Sequence, residues 1–492
     1  RGPLCLLLDG MKRSMSWQGL SLMGCLLISS CVSIKRPVPD PMGQVSIHIR
    51  HLLHGRSGPD HRDTPRDRYR QSMLVRFYRS RDDRPAWVGP RGVLSQADQL
   101  IQAVEAGAGV GLPGELYRLV ELREAVEASR GPRDAEYLAR VDLALSETFI
   151  VYADHIRRGL VDPRTVNEHW HVPDRRTDLA GLLTTSLSLQ NVGPALGRLQ
   201  PRRSVYSELG RFLRESSDLR RNKLEANLER WRWLPRDLGS DYLLVRLAAF
   251  ELDWIRAGVQ QPTRRVIVGT PFQRTPSFAS QITDIVVHPF WHVPASIAQH
   301  ELVPRISRNP DFARAAGFRV LRDGRPAELM NVDWGDSLQT RRLLFVQAPG
   351  GGNPLGSVKF NLPNPFSIFL HDTPVKSHFT DQERDLSHGC VRVEGAIELA
   401  RQILGSRAPL FDSLLANHQT GAVSLGRPLP VFFIYWTVDV VDGELRDLED
   451  VYDEDSALIN ALHTVSRTPH TRGWLDSDRR PSHLRPSQDG GT

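Results

Sequence analysis

The 492-residue sequence predicts a multidomain α+β protein, a mostly helical N-terminal scaffold joined to a β-rich C-terminal domain. The length exceeds what one hydrophobic core usually serves. Apolar residues recur at helical spacing up to about residue 231, and after Trp233-Leu234-Pro235 they fall into short strand-like runs punctuated by Pro and Gly. With 40% hydrophobic and 24% charged residues, 38 Gly and 34 Pro, the composition is that of a folded chain and excludes a fibre or a wholly disordered polymer.

From the N-terminus, Met11-Lys12-Arg13 and the apolar run Leu20 to Ile28 have the charged and greasy regions of a secretory signal, with Met11 as the expected start. The run is too short to span a bilayer, which needs about twenty apolar residues. It ends in Ile28-Ser29-Ser30-Cys31, which resembles a bacterial lipobox, so Cys31 is the expected lipidation site. Val32 after it, rather than Asp, favours the outer membrane by analogy. The expected location is therefore the periplasmic side of the cell envelope, with the membrane reached through the N-terminal lipid.

These features divide the chain into residues 1–30 (upstream residues and signal), a linker over 31–70, a helical scaffold domain over 71–223, a β-rich domain over 224–445 with a possible insertion over 294–345, and a C-terminal segment over 446–492, disordered from about 467. Residues 36–70 read as a tether because they are rich in Pro, Arg, Asp and His. In the scaffold, Ser95 and Asp98 are placed to cap a helix carrying Leu100, Ile101 and Val104. Leu138, Val141, Leu145, Phe149 and Tyr152 mark a long helix over Ala135 to Ile156, ended by Gly159. Further helices are expected around Leu179–Leu189, Tyr206–Leu213 and Leu219–Trp231. Strands are expected over Tyr242–Leu252, Arg264–Gly269, Ile282–Val287 and Val431–Val440, with Ser296–Trp334 more helical and irregular between them.

The net charge of +6 comes from 63 basic and 57 acidic residues, and only five of the basic residues are lysine. The arginines are scattered among acids without a basic, aromatic-interleaved strip, which argues against a nucleic-acid partner. Of the four cysteines, Cys5 and Cys25 precede the processing site and Cys31 is consumed by acylation. Cys390 remains as one thiol in an oxidising compartment, either inert or kept for reactivity.

Its neighbours favour reactivity. Phe366-Ser367-Ile368-Phe369-Leu370-His371 is followed by a fifteen-residue gap and Ser387-His388-Gly389-Cys390-Val391-Arg392-Val393. A strand-like run ending in histidine and a turn bearing cysteine can bring imidazole and thiol together. A free thiol has a pKa of about 8.5, and a neighbouring imidazolium lowers it. Gly389 lets the chain turn sharply, and N–H groups around it can converge on an oxyanion. The pattern suits acyl transfer.

These residues resemble the L,D-transpeptidases with a YkuD-type catalytic domain, whose signature is a histidine, a gap of fourteen to seventeen residues and Ser/Thr-His-Gly-Cys. The resemblance extends to Val266-Ile267-Val268-Gly269 with Thr275-Pro276-Ser277-Phe278, to Asn361-Leu362-Pro363-Asn364-Pro365 and to Leu370-His371-Asp372-Thr373-Pro374. Leu228 to Pro235 and Arg157 to Pro163 are similar to the large Gram-negative branch, which carries a helical scaffold domain. Together the likeness covers most of residues 70–445.

The resemblance implies that Cys390 is the nucleophile and His371 the general base and later acid, with the backbone carbonyl of Asp372 orienting its ring. His388 and Gly389 would form the oxyanion site. The substrate would be a peptidoglycan stem tetrapeptide, D-alanine the leaving group, and the product a cross-link between third-position diamino acids. Carbapenem-type inhibitors would acylate the same thiol, and no cofactor is implied. Arg392 is a candidate for a substrate carboxylate or an ion pair with Glu394, and Ser387 for substrate contact or for holding the turn. Trp291, in His288-Pro289-Phe290-Trp291-His292-Val293-Pro294, opens the insertion, which resembles a substrate-capping subdomain, and is a further substrate-binding candidate. His371, His378, His388 and Cys390 lack the closely spaced ligand pairs of a zinc site, so no metal is expected. Pro201 to Arg221 is too short for the peptidoglycan-binding module that large relatives carry. L,D-carboxypeptidase or other thiol hydrolysis of stem peptides uses the same chemistry, and a non-enzymatic envelope scaffold would use only the helical half.

Overall fold

A computed structural model describes residues 40–54, 64–173, 176–327 and 329–476. Cys31, the expected signal segment and the last sixteen residues lie outside the described residues.

The helical region is built on α5 (Ala135–Arg158), following α1 (Pro41–His54), α2 (Pro65–Arg79), α3 (Gln96–Gly107) and α4 (Leu119–Ala128). Asp134 caps α5 by accepting the Tyr137 N–H, and Gly159, at φ +80°, ends it. From Leu138 to Ile156 all but one residue is buried, which makes α5 the central helix. It is followed by α6 (Leu179–Ser188), α7 (Val192–Gly197), α8 (Ser204–Glu215) and α9 (Asp218–Arg232), close to the spans the apolar spacing predicts. Ser95 precedes α3 but has helical dihedrals and makes no side-chain cap bond; Asp98 pairs instead with Arg130 at 2.8 Å.

Within the expected linker over 31–70, the described residues 41–54 and 65–70 are helical rather than a tether. Val45 and Ile49 of α1 are fully buried, with Met42, Leu52 and Leu53 packed around them. That is a helical stripe which the polar composition hides. Thr64 and Asp67 form a capping box that starts α2. The expected boundary at 223/224 falls inside α9, which runs unbroken because Leu224, Ala226 and Leu228 continue its buried side. The C-terminal segment is ordered beyond 467 as far as it is described. Trp474 is 3% exposed and its indole N–H donates to Glu147 of α5 at 2.9 Å.

The C-terminal region is dominated by one sheet whose main strands are β1 (Tyr242–Arg246), β2 (Glu251–Arg256), β3 (Arg264–Gly269), β4 (Ser277–Val287), β5 (Val358–Asn361), β6 (Leu370–His371), β7 (Asp385–Ser387), β8 (Val391–Val393) and β9 (Gly421–Ile434), with the short strands Trp170–His171 and Val259–Gln260 added to β4 and β2. Their order is β7-β3-β8-β6-β5-β4-β9-β1-β2, and β3 also pairs with β2, so the sheet curls back on itself. Most neighbours are antiparallel, but β6 and β8, β7 and β3, and β9 and β1 run parallel. Alternation along β1 sends Leu244 into the helical core and Leu243 and Val245 into a second core. The scaffold is thus packed directly on the sheet. Trp231 of α9 stacks on Trp436 with ring centroids 3.9 Å apart, and the Asn227 side chain accepts the Thr437 N–H at 2.9 Å.

Between β4 and β5 the chain forms a four-stranded sheet of Trp291–His292, Phe318–Arg322, Arg325–Pro326 and Leu343–Gln347, with short helices over 295–315. It has its own core around Leu302, Ile306, Val320 and Phe345. The strands within this stretch escape a reading that sees only helix and irregular chain, because Phe318-Arg319-Val320-Leu321-Arg322 is arginine-rich.

Candidate active site

Register on β5, β6 and β8 assembles the site. Val358, Phe360, Leu370, Val391 and Val393 point into the second core. The intervening residues therefore share the opposite face. Across it Lys359 is paired with His371, and His371 with Arg392. Cys390 lies two residues before Arg392 and so on the same face, opposite the Phe366–Phe369 loop. The Val391 N–H bonds the Phe369 carbonyl at 2.9 Å, and Cys390 Sγ lies 3.6 Å from the Ser367 carbonyl oxygen.

The Asn364 side chain ties that loop. It accepts the N–H groups of Phe366 and Ile368 at 3.0 and 3.1 Å and donates to the Leu362 and Ile368 carbonyls at 2.8 Å. Ser367 adopts φ +57°, so the regular strand expected over Phe366–His371 is confined to Leu370 and His371.

His371 is 4% exposed, with Nδ1 2.5 Å from the backbone carbonyl oxygen of Asp372. A carbonyl only accepts, so Nδ1 carries the proton and Nε2 is the free base in the neutral ring. The Asp372 carboxylate turns away, accepting the Ser357 N–H at 3.0 Å and pairing with Lys376. Burial pushes His371 down to about 4, with Arg392 and Lys359 adding to the effect. Cys390 is half-buried. Burial also pushes its thiol up, opposed by a hydrogen bond from the Phe369 backbone and by the charges of Lys359 and Arg392. A neutral thiol facing a neutral imidazole replaces the expected imidazolium partner.

The turn before Cys390 is held from inside. Ser387 is 2% exposed; its hydroxyl donates to the Cys390 carbonyl at 2.5 Å and accepts the Gly389 N–H at 3.1 Å. Ser387 thus holds the turn, the second of its two expected roles, whereas the Gly389 N–H, expected at an oxyanion, is taken by the Ser387 hydroxyl. Gly389 has φ +103°, and a Cβ there would lie 3.0 Å from Ile368 Cδ1. Its carbonyl accepts from Thr275 Oγ1 at 2.7 Å, and Thr275 Oγ1 accepts the Gly269 N–H at 2.9 Å. Tyr452 closes the network, donating to the Gly269 carbonyl at 2.7 Å and accepting the Thr275 N–H at 3.3 Å.

His388 is exposed, and its Nε2 pairs with Glu301 of the inserted subdomain. Arg392 makes no ion pair with Glu394, which is engaged by Arg265 at 2.7 and 2.9 Å. Trp291 lies on the inserted sheet, its ring 6.1 Å from Phe318. His378 pairs with Asp381 at 2.9 Å. Among the described residues no group of three or more His, Cys, Asp and Glu side chains is arranged to hold a metal ion, and no helix is long and apolar enough to cross a membrane.

Lys359, Thr275, Tyr452 and Glu301 are the site residues whose parts the sequence reading leaves out. Lys359 had a signal: one of only five lysines, it alternates with core residues in Val358-Lys359-Phe360-Asn361. Tyr452 and Glu301 had none, since their contacts span 183 and 87 positions.

In comparison with known proteins, residues 240–430 match the L,D-transpeptidase catalytic domain of the YkuD type, and residues 72–213 match the Scaffold domain. A Haemophilus influenzae protein described as "Putative L,D-transpeptidase" is 26% identical over 396 residues, which cover 78% of each chain.

Proposed function

The chain belongs to the L,D-transpeptidases that join a YkuD-type catalytic domain to a scaffold domain, and from that premise we propose that it transfers acyl groups between peptidoglycan stem peptides through a thioester on Cys390. The observation that carries the reading is the convergence of Cys390, His371 and Arg392 on one face of the sheet, with His371 Nδ1 committed to the Asp372 carbonyl.

In the resting state both partners are neutral. As the thiol approaches the amide carbonyl between a third-position diamino acid and D-alanine, its proton passes to His371 Nε2 and sulfur forms the C–S bond. The imidazolium returns the proton to the departing nitrogen, the C–N bond breaks, and D-alanine leaves. The side-chain amine of a second stem then attacks the thioester. It loses its proton to the same Nε2, and breaking of the C–S bond restores the thiol. Arg392, which has no carboxylate partner among the described residues, suits a substrate carboxylate. The inserted subdomain, latched to the catalytic turn by Glu301 and His388, suits a cap that restricts water at the thioester stage.

Incubation with purified disaccharide tetrapeptides and mass analysis of the products tests the proposal. Dimers linked between third-position residues, with release of D-alanine, are expected. Trimmed tripeptide monomers alone would reassign the chain as an L,D-carboxypeptidase, and no turnover alongside an unchanged Cys390→Ala product profile would leave a scaffold role. The reading further puts the enzyme on the periplasmic side, anchored through Cys31 and acylated by carbapenems at Cys390; a mature N-terminus without a diacylglycerol mass would remove the anchor.

A further inference from the structure

Lys359 is a half-buried cation without an acidic partner among the described residues. It sits on the cysteine's face of the sheet, register-paired with His371. Its Nζ lies 3.6 Å from the centre of the Phe369 ring, above the segment whose backbone holds the Cys390 sulfur. No hydrogen bond or ion pair ties its ammonium group among the described residues. Asp284, the acid whose charge bears on it, accepts from Asn361 at 2.6 Å and from Thr283 at 2.7 Å. A half-buried ammonium group costs desolvation unless an anion compensates it.

We propose that Lys359 is a positioning residue for the nucleophile, held by the Phe369 ring so that its charge stabilises the Cys390 thiolate as the proton leaves for His371. The proposal rests on the reading of Cys390 as nucleophile. With His371 neutral at rest, Lys359 and Arg392 are the fixed positive charges bearing on the sulfur before the proton moves, and the imidazolium joins them only as the thiolate forms. The effect is reciprocal, with burial pulling the Lys359 ammonium down and the Cys390 charge supporting it. The groups bearing on the sulfur are Lys359 on β5, His371 on β6 and Arg392 on β8. Around them lie Asp284 on β4, the Asp372 and Lys376 pair, and the His388 and Glu301 pair at the turn.

The test is the rate at which iodoacetamide alkylates Cys390 in the full chain between pH 6 and pH 10, where sulfur displaces iodide only as thiolate. Lys359→Met keeps the stem and removes the charge. A single charge beside a thiol shifts its titration by about one unit or more, so the variant should react roughly tenfold more slowly at pH 8, with its profile displaced to higher pH. Lys359→Arg should stay within about twofold of the wild type. Lys359→Gln gives the same reading should the methionine variant not fold. Superimposable profiles for the wild type and a folded uncharged variant, or a faster variant, would overturn the proposal. The readout needs no peptidoglycan, so such a result leaves the acyl-transfer reading standing, and a missing acyl-enzyme leaves the alkylation profile standing.

Discussion

Thr275→Val isolates the bond network that holds the catalytic turn. Valine has nearly the shape of threonine, and Thr275 is 1% exposed, so the exchange leaves packing almost untouched. What it removes is one oxygen that accepts the Gly269 N–H at 2.9 Å and donates to the Gly389 carbonyl at 2.7 Å. Each buried backbone group left without its partner costs about 1–3 kcal/mol. The added methyl group returns roughly 0.8 kcal/mol. The net expectation is a loss of about 1–5 kcal/mol, read as a drop in the urea midpoint at constant slope. Because the Gly389 carbonyl is one residue from the nucleophile, activity should fall further than stability, by about a hundredfold if the sulfur moves by 1 Å. Thr275→Ser, which keeps the oxygen, should lose about 1 kcal/mol and most of the activity should survive. A Thr275→Val protein within about 0.5 kcal/mol of wild type, with an unchanged acylation rate, would refute the reasoning.

The acid limb of acylation follows His371. With the ring pushed down to about 4, Nε2 stays free from neutral pH to about pH 5, and the rate should fall only as pH drops through about 4. The same shift acts on stability: between the ordinary 6.5 and about 4 the unfolded ring binds a proton that the folded one refuses. Stability from this group is therefore full above 6.5 and declines as pH falls toward 4, by about 3 kcal/mol in all, and His371→Gln should remove that component from a pH series of urea melts. Gly356→Ala should cost about 1–2 kcal/mol for a left-handed residue. Its Cβ would collide with the Asp372 carboxylate, so acylation should fall more than the melt suggests; equal losses would contradict a role in holding the Asp372 carbonyl. Glu301→Gln breaks a pair whose side chains are 48% and 38% exposed, so stability should change by under about 1 kcal/mol. KM for the stem peptide should rise, and an unchanged KM would deny the subdomain a role in capping.

What could be read from the sequence was what is local. His371, Asp372, Gly389 and Cys390 lie within twenty residues, and the strand, turn and thiol follow from residue types at that spacing. The fate of each N–H and hydroxyl was not readable. The Gly389 N–H looks like an oxyanion donor until Ser387 Oγ is seen to take it. The proton state of His371 depends on burial among residues from several strands, so a neutral ring was hidden. Helix α1 was missed because its apolar positions are diluted by histidine and arginine. The order of residues 467–476 depends on Glu147, more than three hundred positions away.

The central claim is that the Cys390 sulfur takes the acyl group of a stem peptide. Intact-protein mass spectrometry after brief incubation with a purified stem tetrapeptide reads it directly. The account predicts an added mass equal to the stem tripeptide acyl group, mapped to Cys390, with free D-alanine in solution and no adduct in Cys390→Ala. D-Alanine release without any covalent intermediate, or an adduct that persists in Cys390→Ala, would contradict it.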